Sequence, residues 1–218
     1  MTVVPASFQL AGWIPAWWRA TAGGDDLLEL LDPSAVAALA ELRGRVSSLT
    51  AYCPALGVSV LPGPRATTQS AVAAGEAVVL HGRDRGQSYL LIPDERGWDL
   101  VACDTPRPMN LERRQAAADM AEAVVVAEHS IREAGLQFSA AARAVAVRPL
   151  PPDADSEQRG LLVRAARIWT AVDAVAPAQR TRELLRVLQT AALATLAAYT
   201  SADVNADERH PGRVGRFA

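Results

Sequence analysis

Three apolar runs, Glu76-Ala77-Val78-Val79-Leu80-His81, Gln87-Ser88-Tyr89-Leu90-Leu91-Ile92 and Trp98-Asp99-Leu100-Val101-Ala102-Cys103, are separated by Arg83-Asp84-Arg85-Gly86 and Asp94-Glu95-Arg96-Gly97. Runs of this length, rich in β-branched and aromatic residues and divided by loops that end in glycine, read as a three-stranded antiparallel meander. Two four-residue loops set its register. His81 falls opposite Ser88 and Ser88 opposite Cys103, with Val79, Leu90 and Val101 in the next row of that face. The other face carries Val78, Leu91 and Leu100 in one row and Leu80, Tyr89 and Ala102 in the next. A sheet wet on one side alternates apolar with polar residues, so this pattern predicts cover on both faces. Helices can supply that cover; a face they leave bare would pair with a second copy about a two-fold axis.

The flanking sequence supplies the helices. Asp32-Pro33 reads as an N-cap followed by a first-turn proline, and Leu39, Leu42, Val46, Leu49 and Cys53 recur at spacings of three and four, which predicts one helix running to Pro54. Leu56 to Leu61 reads as a short strand and Arg65 to Gly75 as a loop or short helix. Beyond the meander, Asn110 caps a long helix ending at Gly135, with Met120, Val124, Ala127 and Ile131 as its inner stripe. Residues 136–150 fit either a short helix or an edge strand. After the proline-rich and acidic stretch 149–155, a helix with Leu161, Ala165, Ile168, Val172 and Val175 and another with Leu185, Leu188, Ala192, Leu196 and Tyr199 form an antiparallel hairpin. The expected fold class is α+β: an antiparallel sheet containing the meander, covered by helices, with a C-terminal helical hairpin. Its expected organisation is an irregular tryptophan-rich arm over 1–24, an α+β domain over 25–150, the hairpin over 151–202 on the same core, and a flexible polar tail over 203–218.

The first 24 residues hold Trp13, Trp17 and Trp18 among Pro5, Pro15 and Gly23-Gly24. Trp13 and Trp17 stand i, i+4 on a possible short helix, where both rings can dock on one surface. They either cap the end of the core or anchor a partner, and Trp13, Trp17 and Trp18 are the candidate interaction residues. A membrane role is disfavoured, because only Arg19 stands nearby to meet anionic headgroups.

Composition bounds the rest. In 218 residues, half hydrophobic, with a formal net charge of −2, no global field draws the chain to nucleic acid or anionic lipid. All 22 basic residues other than histidine are arginine and alanine dominates, the signature of a GC-rich, bacterial-like coding sequence. Cys53 and Cys103 match no metal or redox spacing and read as free, buried thiols. There is no leader pattern and no apolar run of about 18 residues, so the chain is expected to be cytoplasmic.

One row gathers chemistry by geometry: His81, Ser88 and Cys103, with cross-strand Cβ atoms about 4.5–5.5 Å apart. These are the candidate catalytic residues for a small hydrolase or transferase, with Asp84 or Asp104 to orient the imidazole. A flat sheet face offers them no oxyanion hole, and a histidine and serine satisfying one another is the simpler account. His129 has Glu122, Glu128 and Glu133 on its helix but no second His or Cys at i+3 or i+4, so no metal site is expected. Asp25-Asp26 and Asp153/Asp155 fall at helix starts, where the dipole favours acids regardless of function. Gly23-Gly24 lacks the Lys-Ser/Thr of a phosphate loop, and no cofactor is expected. Arg159, Arg164, Arg167, Arg180, Arg182 and Arg186, with the tail's Arg209, Arg213 and Arg216, would serve a nucleic-acid-binding regulator. The absence of interleaved aromatics and of a basic domain favours solvated faces instead. The leading expectation is a non-enzymatic interaction or regulatory module, a homo-oligomer or the binder of a partner protein.

Overall fold

A computed structural model describes residues 5–53, 61, 64–84, 86–104, 113–133, 151, 156, 159–161, 163–166 and 202–203. In chain order the elements are α1 (Ala6–Trp18), α2 (Gly24–Leu28), α3 (Pro33–Leu42), β1 (Val46–Tyr52), α4 (Arg65–Ala74), β2 (Ala77–Gly82), β3 (Ser88–Asp94), β4 (Gly97–Cys103), α5 (Arg113–Glu133) and β5 (Ala202–Asp203). This is an α+β fold whose antiparallel strands lie in the order β4-β3-β2-β1-β5.

The register of β2, β3 and β4 follows from loop length. Val79 pairs with Leu90 and Leu90 with Val101, and His81 pairs with Ser88 and Ser88 with Cys103. The second connection is tighter than its sequence suggests. Asp94 and Gly97 are themselves paired, leaving a two-residue Glu95–Arg96 turn in which Asp94 Oδ1 accepts the Arg96 and Gly97 N–H groups at 2.7 and 2.9 Å. Pro93 is accommodated because the pairing of β2 with β3 stops at Leu91, so no ladder bond is lost.

The helix expected from Asp32 to Pro54 ends at Leu42, and Val46–Tyr52 is a strand. Asp32 caps α3 as predicted, accepting from the Ser34 and Ala35 N–H groups at 3.0 Å each. The chain then turns at Gly44, whose φ of +86° suits glycine. A bulge between Val46 and Ser48 explains the misreading. The extra residue puts Val46 and Leu49 on the same face despite their spacing of three, so a bulged strand imitates helical periodicity. The β-branched Val46 and Thr50, with Tyr52, accord with the strand.

Residues 6–18, expected to be part of an irregular arm, form helix α1. Pro5 stands at its N-cap and Pro15 in its last turns, so neither interrupts the middle. Pro5 has no side chain with which to cap the helix. The Glu76 carboxylate does so instead, its Oε2 accepting the Ser7 N–H at 2.7 Å.

Both sheet faces are buried, each in its own core. On one side Val46, Leu49, Ala51, Cys53, Val78, Leu80, Tyr89 and Leu91 pack with Phe8, Leu10 and Ile14 of α1, Leu27 of α2, Leu39 and Leu42 of α3, Met120 of α5 and the helical Ala165. On the other, Tyr52, Leu61, Ala77, Val79, Leu90, Ile92 and Cys103 pack with Ala71 of α4. Within α5 the buried stripe is Ala116, Met120 and Ala123; Met120 was expected on it, and Val124 lies half-buried beside it. Asp203, expected at the head of a flexible tail, is in β5, which pairs with β1 at Ser48 and Leu49. The strand expected at 56–61, the start of the long helix at Asn110, segment 136–150, the second helix of the hairpin and residues 204–218 lie outside the described residues, apart from Leu61.

Candidate functional site

The polar row sits on the face of the sheet that α4 partly covers. β2 contributes His81, β3 Ser88 and β4 Cys103, and the antiparallel register brings them side by side. β1 adds two more polar residues, Ser48 directly across from His81 and Thr50 across from Val79. Sequence reading missed both because it placed them on a helix. The signal that could have found them is the Val-Ser-Ser-Leu-Thr-Ala-Tyr run, whose Ser48, Thr50 and Tyr52 alternate with Leu49 and Ala51.

Thr50 is the residue that engages the imidazole. Its Oγ1 and His81 Nε2 lie 3.2 Å apart, in hydrogen-bond contact. His81 is half-buried, and desolvation lowers its pKa, which favours the neutral ring. The backbone of the same residue is tied down as well, its carbonyl accepting from Ser47 Oγ at 3.1 Å. The bulge therefore serves the site: the extra residue that bends β1 reaches across to fix the strand that carries His81.

Ser88 is fully buried, and its Oγ accepts the Gly82 N–H at 3.4 Å. Gly82 is required there, since a Cβ at this position would run into the Gln87 carbonyl oxygen. The Cys103 thiol is buried, and its pKa is pushed up to about 11, chiefly by desolvation with a contribution from the neighbouring Asp104 carboxylate. At neutral pH it is a thiol. Nucleophilic attack needs the thiolate, so the arrangement disfavours Cys103 as a nucleophile. The chemistry of the row is that of a satisfied polar seam.

The other candidates are dispersed. Trp18 is buried in the main core, and Trp13 and Trp17 pack half-buried against it. Cys53 is buried on the opposite side of the sheet from Cys103, and neither is in a disulfide. His129 is exposed on α5, and Arg159 and Arg164 are exposed on the helical segment near Ala165; Arg167, Arg180, Arg182, Arg186 and the tail arginines lie outside the described residues. Asp26 closes the first turn of α2 by accepting the Gly23 N–H at 3.0 Å. Among the described residues no group of three or more His, Cys, Asp or Glu is placed to hold a metal ion, and no helix is long and apolar enough to cross a membrane.

No curated protein and no solved structure matches the chain. Residues 7–112 are similar to a family described as Rv1486c-like protein, N-terminal domain, a match that reaches from α1 through β4 and takes in Thr50, His81, Ser88 and Cys103.

Proposed function

We propose that this protein is a non-enzymatic interaction or regulatory module that self-associates. The observation that carries the reading is the state of β4: a seven-residue strand at the edge of the sheet, every residue of it except Cys103 at least partly exposed. Exposed edges of this length offer a row of backbone donors and acceptors to another strand. The polar row argues the same way from the other side. Ser88 is fully buried and Cys103 is a protonated thiol, so neither is an activated nucleophile, and the bond to Thr50 ties the His81 ring into the sheet.

Light scattering of the full chain after size exclusion, at several protein concentrations, tests the proposal. The expected result is a mass that rises from one chain toward two as concentration increases. A strict monomer throughout that range overturns self-association.

A further inference from the structure

The geometry points to the outer edge of β4 as the surface on which a second copy of this chain pairs, antiparallel and about a two-fold axis through Leu100; this rests on the self-association proposed above. The two-residue Glu95–Arg96 turn makes Asp94 and Gly97 the first hydrogen-bonded pair of the hairpin. Bonded pairs then alternate along an antiparallel ladder, so Asp99, Val101 and Cys103 bond to β3 while Trp98, Leu100 and Ala102 turn their backbone groups outward. The Trp98 N–H is taken, since it donates to Asp32 Oδ2 at 3.1 Å. The outward groups of Leu100 and Ala102 have no partner among the described residues.

Charge and parity select one register. A shift that opposes outward residues to inward ones forms no ladder, which leaves axes through Asp99, Leu100 or Val101 near the middle of the strand. An axis through Asp99 sets that carboxylate against its own copy, and like charges directly opposite are unfavourable. With the axis through Val101, Asp99 meets the partner's Cys103 and Trp98 meets the partner's Asp104, so neither carboxylate has an arginine directly opposite among the described residues. The axis through Leu100 places Trp98 beside the partner's Ala102, Asp99 beside the partner's Val101, and the exposed Arg96 beside the partner's exposed Asp104, twice over. It also joins the two rows Trp98, Leu100 and Ala102 into one apolar strip. Trp98 and Leu100 already pack against the main core, so the strip continues that core across the axis. Each Leu100 N–H donates to the partner's Leu100 carbonyl and each Ala102 N–H to the partner's Trp98 carbonyl, while Asp32 keeps its bond to the Trp98 N–H.

Sedimentation equilibrium on the full chain tests this with Arg96→Asp, Asp104→Arg, the two combined, and Leu100→Pro. Each single reversal is expected to weaken the dimer about tenfold, and the double reversal to return it to within about threefold of the parent. Leu100→Pro removes an outward N–H and no bond to β3, so the expected product is a folded monomer with an unchanged circular dichroism spectrum. Should that spectrum change, the charge swap decides alone. A dimer indifferent to all four variants overturns the β4 pairing while leaving self-association standing on another surface. A parent protein that is monomeric throughout overturns both.

Discussion

Asp32 joins two distant elements with one carboxylate: Oδ1 caps α3 and Oδ2 holds the Trp98 N–H at the start of β4. The Ser34 hydroxyl bond, then those from the Ala35 and Trp98 N–H groups, favour the charged form and lower its pKa from 3.8 to about 2. Because the folded value lies below the unfolded one, the stabilisation is present above about pH 4 and disappears as pH falls through about 2. Asp32→Ala is expected to cost about 1–2 kcal/mol at neutral pH. Urea titrations of parent and variant should converge as the pH is lowered toward 2.5; a gap that stays constant would mean the carboxylate charge is not its source. The capping half of this residue's role was legible, because Asp-Pro before an apolar periodicity is a local signal. Its bond to Trp98 was not, since that depends on α3 lying beside β4. His81 teaches the same lesson: its place opposite Ser88 came from counting loop residues, but its contact with Thr50 required knowing that β1 is a strand.

Among elements, α1 and β1 were the two misread, each through a signal that means something different in context. Prolines at 5 and 15 look like breakers, yet they occupy the N-cap and the closing turns of a helix. The bulge in β1 turns a spacing of three into one face of a strand. By contrast, β2 to β4 were legible because alternation and short loops are both local properties. α1 depends on the Glu76 carboxylate to take the Ser7 N–H, and an anion at a helix N-terminus also complements the dipole. Glu76→Ala is therefore expected to lower stability by about 1–2 kcal/mol, with Glu76→Gln intermediate. Thermal melts at matched concentration check it; equal melting temperatures for Glu76→Ala and the parent would show that α1 stands without this cap.

At the scale of the molecule, one sheet separates two cores, and each core contains one cysteine. Apolar residues on both faces of β2 to β4 made this double cover legible, although the cover on the first face includes α1, which the proline pattern concealed. These two thiols, one in each core, make the cooperativity of the fold measurable. Cys53 and Cys103 are expected to resist a disulfide reagent in the native protein and to become reactive at the same urea midpoint, because the strands are shared by both cores. Earlier labelling of Cys103 would show that the core beneath α4 opens by itself. The pairing of β1 with β5 bears on how the chain is made. β1 accepts a partner that lies about a hundred residues beyond the end of β4, so at a synthesis rate of roughly 5–20 residues per second the ribosome takes about 5–20 s to deliver Ala202 and Asp203 after Cys103. For that interval a nascent sheet complete from β1 to β4 has an open margin at Ser48 and Leu49, the side away from β4. Crowded polysomes are where a mispairing of that margin would first be felt.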